Sequence, residues 1–166
     1  MTDDGSMSTR TLDPRRTWPS LAICLLAVAA AAVLGGIAAG SARETYQALE
    51  LPAWAPPGWL FGPVWSVLYV MIGLAGWILW NSDGGRGLPI RLWAIQLVLN
   101  AAWTPLFFAA EQYELALAEI VLLLGTIVAL IVVARRVDAR AAWLLAPYLA
   151  WVAFATALNT SIVVLN

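Results

Sequence analysis

Five stretches of this chain are too long and too apolar to sit in water: about residues 20–40, 63–80, 89–109, 113–134 and 141–164. A helix needs roughly 20 mostly apolar residues to cross a bilayer. Inside lipid every backbone N–H and C=O must be paired within the protein, which an apolar block of this length achieves as a helix. The expected fold class is therefore an all-α integral membrane protein, a bundle of five transmembrane helices. Little chain is left between the blocks. We expect one membrane domain, residues 18–166, behind a disordered polar tail, residues 1–17, that carries Asp3, Asp4, Asp13 and Pro14.

Composition removes several classes of function. The formal net charge of −1, with no lysine, gives no sign of nucleic-acid binding. The chain has no histidine and a single cysteine, Cys24, so neither a transition-metal site nor an internal disulfide is expected. Cys24 lies inside the first apolar block and reads as a small core-facing or lipid-facing residue. No Ser/His/Asp set, phosphate-cradling loop or carboxylate pair is present, which argues against hydrolysis and phosphoryl transfer.

Arg15 and Arg16 before the first block resemble the start of a secretory signal, and the small residues around 40–42 would allow cleavage. The block is 20 residues long, however, beyond the roughly 7–15 of a signal core, and is expected to stay as a helix. Its Ala32, Gly36 and Gly40 repeat at four-residue spacing, which is either a helix-packing face or chance in an alanine-rich helix. With five spans, Arg10, Arg15, Arg16, Arg86, Arg91, Arg135, Arg136 and Arg140 share one side, and Arg43 stands alone on the other. Positive charge favours the cytoplasm, so the N-terminus is expected inside and the C-terminus outside.

Residues 51–80 carry the strongest local signal. Pro52, Pro56, Pro57 and Pro63 forbid a regular helix through the first half. That half reads as a stiff connector bearing Trp54, Trp59 and Phe61, after a short helical turn near residues 41–51. Pro63 suits the first turn of the following helix. On that helix Trp65, Tyr69, Gly73, Gly76 and Trp80 fall within about 80° of one another, an aromatic face on which two glycines open space.

The third and fifth blocks show matching faces. Trp93, Gln96, Asn100, Trp103, Thr104 and Phe107 lie within about 100° on one; Tyr148, Trp151, Ala155, Asn159 and Ile162 cluster on the other. Trp18, Trp80 and Trp143 sit at block ends and fit interfacial anchoring. Trp103 and Trp151 lie deeper and, with Trp65 and Tyr69, could wall a cavity for a flat apolar ligand. Asn100 and Asn159 read either as hydrogen-bonded glue between helices or as ligand contacts. Pro105 and Pro147 each remove a backbone hydrogen bond and are expected to bend their helices. Glu119 is the one acid well inside a block and would be the residue to couple protons in a transporter.

Three motifs, W-A-P-P-G-W-L-F-G-P-V-W-S-V-L-Y, then Q-L-V-L-N-A-A-W-T-P-L-F-F at 96–108, then A-P-Y-L-A-W-V-A-F-A-T-A-L-N at 146–159, resemble the TspO/translocator-protein family of tryptophan-rich sensory proteins. The resemblance covers about residues 20–160. It implies a five-helix bundle, often a homodimer in a bacterial cell membrane, whose first long connector caps a pocket. Implied ligands are porphyrins such as protoporphyrin IX and haem, with no cofactor required. The ligand-binding set would be Trp54, Trp59, Trp65, Tyr69, Asn100, Trp103, Phe107, Tyr148, Trp151, Ala155 and Asn159. Roles in porphyrin sensing, transport or regulation are implied. The alternative is light-dependent porphyrin degradation, for which Trp65 and Trp151 would be catalytic. Two departures stand out. Glu50 and Leu51 replace a basic residue that commonly precedes the connector's first proline. Thr160, Val163 and Val164 replace the Tyr, Trp and Arg of the family's sterol-binding stretch, so sterol binding is expected to be weak.

Overall fold

The computed structural model describes residues 14–40 and 42–166. Its α-helices are α1 (Pro14–Ala38), α2 (Ala42–Ala48), α3 (Phe61–Asp83), α4 (Leu88–Thr104), α5 (Tyr113–Val137) and α6 (Ala139–Leu165), and no strand occurs among the described residues. Five of these helices are long and apolar enough to cross a membrane; the short α2 is not among them. Most of the expected tail, with Arg10, lies outside the described residues. Helix α1 begins at Pro14, inside that tail, where proline's missing N–H is no loss.

The long helices close into a ring in the order α1, α3, α6, α5, α4, and α4 returns to α1. The inner stripe of α5 shows how the sequence specifies this. Ala116, Ile120, Leu123, Ile127, Leu130 and Ala134 recur every three or four residues and are buried. Outward positions such as Val33, Leu34, Val98 and Leu122 are equally apolar but exposed, as a lipid-facing surface requires.

Two sequence expectations change in the packed bundle. The space opened by Gly73 and Gly76 is filled by protein. A Cβ at Gly76 would lie 2.3 Å from the Trp93 ring, and one at Gly73 would lie 3.0 Å from Leu25. The Trp93 indole N–H donates to the Ile72 carbonyl at 2.9 Å, so this tryptophan is locked into the notch. On α1 the inward small face is Cys24, Val28, Ala31 and Gly35, not Ala32, Gly36 and Gly40; a Cβ at Gly36 would meet nothing.

The two prolines act differently. At Pro105 the α-helix gives way to a wider π-helical segment, Pro105–Ala109. The Ala110 N–H reaches the Pro105 carbonyl at 2.9 Å and the Gln112 N–H reaches Leu106 at 3.0 Å. Wide turns of this kind recur at functional sites. Helix α6, in contrast, runs unbroken through Pro147. At the opposite end of the bundle the chain turns twice. Gly84 and Gly85 have φ of 67° and 74°, a conformation glycine tolerates, between α3 and α4. Asp138 caps α6 by accepting from the Arg140 N–H at 2.9 Å and pairs with the Arg140 guanidinium at 2.8 Å.

Candidate functional site

The connector from α2 to α3 covers one end of the ring. The Pro52 carbonyl accepts from the Ala55 N–H at 2.9 Å to make a tight turn, and a single 3₁₀ turn, Gly58–Leu60, leads into α3. Its prolines limit its shapes; long-range contacts fix its place. Tyr46 on α2 is buried and donates its hydroxyl to the Pro56 carbonyl at 2.9 Å. Burial pushes the Tyr46 phenol up from its ordinary value. At the connector's start, the Glu50 N–H donates to Asn166 Oδ1 at 3.0 Å, and Asn166 Nδ2 donates back to the Glu50 carbonyl at 3.1 Å.

Beneath this lid the aromatic rings form a chain of edge and tilted contacts. Tyr46 meets Phe61 at 5.6 Å, Phe61 meets Trp151 at 5.7 Å, Trp151 meets Phe154 at 5.4 Å, and Phe154 meets Trp54 of the lid at 5.6 Å. Trp65 packs on Tyr69 at 5.2 Å and on Tyr148 at 6.1 Å. Across the start of the π-helical segment, Trp103 of α4 stacks on Phe107 at 4.9 Å, and Phe107 meets Tyr113 of α5 at 5.0 Å. Edge and offset contacts at these separations are the ones aromatic quadrupoles favour.

Two small cavities lie in this assembly. One, of about 20 Å³, is bounded by Trp65, Asn100, Trp103, Ile120, Trp151 and Ala155, among others. The other, about 10 Å³, lies nearer the lid between Tyr46, Phe107, Leu158, Asn159 and Ile162. Phe61, Trp103 and Ala155 border both. Each has room for about one water molecule. The rings pack on one another, and neither cavity has room for a flat ligand beneath the closed lid.

Both asparagines bridge helices. Asn100 accepts from the Tyr69 hydroxyl at 3.0 Å and donates to the Tyr148 hydroxyl at 3.3 Å, joining α3, α4 and α6. Asn159 accepts from the Trp103 indole at 3.3 Å and donates to the Tyr113 carbonyl at 3.1 Å. The glue reading of these residues therefore has a geometric basis, and both also border the cavities. Among the described residues, three groups are buried without a hydrogen-bond partner: the Trp151 indole N–H, one oxygen of Gln96 and both carboxylate oxygens of Glu119. Buried polar groups in folded proteins are almost always paired, so each of these is a candidate contact for something else.

Of the residues singled out from the sequence, Trp65, Tyr69, Asn100, Trp103, Phe107, Tyr148, Trp151, Ala155 and Asn159 converge on this region, with Trp54 joining through the lid. Trp59 does not; it is 71% exposed, as are the block-end residues Trp18 and Trp143 at 71% and 77%. Tyr148 is fully buried and supports Trp65 from behind. The sequence-based set lacked Tyr46, Phe61, Phe154 and Leu158. Phe61 and Phe154 stood within the quoted motifs, but their helical angle alone did not place them on the inner face. Among the described residues, no cluster of three or more His, Cys, Asp or Glu could hold a metal ion.

Comparison with known proteins agrees with this architecture. The model of the TspO/MBR family matches residues 22–165. The chain is 42% identical over 124 residues to the translocator protein of Homo sapiens, covering 72% of this chain and 73% of that one. It is 41% identical over 128 residues to the tryptophan-rich protein TspO of Chlorobaculum tepidum, 73% of this chain and 78% of the relative. With the corresponding protein of Archaeoglobus fulgidus the identity is 36% over 148 residues, 88% and 96% of the two chains. With five apolar helices, a proline-rich lid and an aromatic core beneath it, this chain is an integral, multi-pass membrane protein that belongs to the TspO/MBR family.

Proposed function

We propose that this protein binds a tetrapyrrole, protoporphyrin IX or haem, between the lid and the aromatic core, as part of porphyrin sensing, transport or regulation. The observation that carries the reading is the Trp151 indole N–H. It is buried and unpartnered, in the wall of a cavity that Phe61, Trp65 and Trp103 also line. A flat π-system with acceptor atoms supplies both what the rings stack on and what the N–H lacks. Ligand pockets of this kind hold roughly 300–1,000 Å³, so binding requires the lid to move and the rings to part. Arg43 on α2 is an exposed cation at the lid end, suited to a propionate left at the mouth. Absorbance titration of the purified protein with protoporphyrin IX tests the proposal; the absence of saturable binding would overturn it. Trp65→Phe or Trp151→Phe should weaken binding several-fold, since a ring remains.

A second reading, light-driven degradation of the bound porphyrin, is favoured by the oxidisable rings around one cavity. Trp65, Trp103 and Trp151 line it together, and Trp65 also touches Tyr69 and Tyr148. Phenylalanine is much harder to oxidise than tryptophan. Trp→Phe would therefore abolish photochemical loss while only weakening binding if this reading holds. The orientation we infer has the lid outside and the N-terminus in the cytoplasm. Exposed Arg86, Arg91, Arg135, Arg136 and Arg140 gather at the end opposite the lid, which supports it. In a Cys24→Ala background, a cysteine at Gln47 should react with an impermeant thiol reagent in intact cells and one at Ser82 should not. Homodimer formation belongs to the same proposal, to be checked by cross-linking in the membrane.

A further inference from the structure

The two cavities hold about one water each, so access to the site is governed by whatever keeps the lid down. Among the described residues, two polar anchors do so, beside the ring contact of Trp54 with Phe154. Asn166, at the lid end of α6, faces the Glu50 backbone with both halves of its amide. It accepts from the Glu50 N–H at 3.0 Å and donates to the Glu50 carbonyl at 3.1 Å. This is the pairing one strand makes with another, here supplied by a side chain across 116 residues of sequence. The amide is itself held in place, because Asn166 Nδ2 also donates to the Ile162 carbonyl at 3.0 Å. Ile162 lines the cavity nearer the lid, so the same turn of α6 touches both the lid and the site. At the other end of the proline segment, the Tyr46 hydroxyl holds the Pro56 carbonyl. Between these anchors run Pro52 and Trp54, and with Pro56 at its end the stretch is too stiff to peel residue by residue.

We propose that Asn166 is a positioning residue for the candidate site: its amide latches the lid at Glu50, and release of that latch opens the aromatic core to a ligand. The lid then moves as one unit about its junctions with α2 and α3. The latch rests on the lid geometry alone, and its consequence for tetrapyrrole rests on the function proposed above. The apparent affinity of a site that is open only part of the time scales with the open fraction.

The primary test needs no ligand. Ala155 borders both cavities, and a cysteine there, in a Cys24→Ala background, should react with a charged thiol reagent only when the lid is open. Asn166→Ala removes both latch bonds and should raise that rate at least about fivefold, the effect on an equilibrium of losing one net hydrogen bond. Tyr46→Phe, which keeps the ring against Phe61 and removes the second anchor, should raise it by a similar factor. Cys24 itself, buried on α1, serves as the control. Its reactivity in otherwise wild-type protein should not change with Asn166→Ala, whereas a general loosening of the bundle would raise it. Unchanged reactivity at position 155 in both variants, or an equal rise at Cys24, would overturn the latch. Protoporphyrin IX should associate with Asn166→Ala faster by the same factor. If reactivity rises but neither protein binds protoporphyrin IX, the latch stands and the ligand reading falls.

Discussion

Trp93 and Trp151 are the same residue in two halves of one bundle, and they are treated in opposite ways. Trp93 lies in the half away from the lid. Its ring fills the notch of Gly76, its N–H is paired with the Ile72 carbonyl, and it is 4% exposed. Trp151 lies in the half under the lid. It meets Phe61 and Phe154 edge-on or tilted, borders a cavity, and its buried N–H has no partner. A finished packing arrangement leaves neither voids nor orphaned donors. At Trp93 the far half is finished in this sense and works as a frame, although one oxygen of Gln96, a turn away, has no partner. The lid half is unfinished, and its loose ends are those a ligand would complete.

The comparison can be broken by substitutions at matched positions. The largest effect is expected at Gly76→Ala. The new methyl would occupy the Trp93 ring's place, and a locked indole cannot yield as a flexible chain end would. A loss of about 3 kcal/mol is expected, at the upper end for overpacking. Reversible unfolding in detergent measures it; a loss below about 1 kcal/mol would show that the frame is softer than its geometry implies.

Asn100→Leu should come next. It strands the Tyr69 and Tyr148 hydroxyls, both now paired with the amide. We expect a cost of about 1–2 kcal/mol, near the upper values for polar contacts between membrane helices. Unchanged stability with lost protoporphyrin binding would move Asn100 from the frame to the site.

Asp138→Ala probes the far end again. It removes the α6 cap, for about 1 kcal/mol. The hydrogen bond from Arg140 holds the Asp138 carboxyl below its usual range. A carboxylate depressed on folding contributes stability that is fully present above the ordinary Asp pKa of about 3.9 and is lost as pH falls toward the folded value. Wild type should therefore lose this contribution on acidification below about pH 4, and Asp138→Ala should not. An identical acid profile in both would remove the cap from the account.

The smallest effect on stability is expected at Trp151→Phe. Removing an unpaired buried donor forfeits no hydrogen bond and relieves its desolvation, so the change should be within about 0.5 kcal/mol. Trp93→Phe, which does forfeit one, should cost more. Equal costs at the two tryptophans would erase the distinction between frame and site.

The sequence by itself determined the number and limits of the spans, the place of the lid and most of the converging residues. These follow from properties that act locally. Hydrocarbon excludes unpaired backbone over any apolar stretch of about 20 residues. Proline fixes φ wherever it stands. A period of 3.6 puts Asn100 with Trp103 and Tyr148 with Trp151 on common faces. Only the tertiary structure decided what each face meets. Gly76 looked like open space until α4 brought Trp93 into it. Phe61, on a separate stretch of sequence from Trp151 and Phe154, met Trp151 only once α3 and α6 became ring neighbours. Pro105 looked like a bend, but the carbonyls beyond it found partners in a wider turn. The Glu50–Asn166 pair joins residues that no local pattern connects. Helical periodicity gives each residue an angle on its own axis; the partner at that angle is set by the order in which the helices close the ring, and that order is a property of the packed whole.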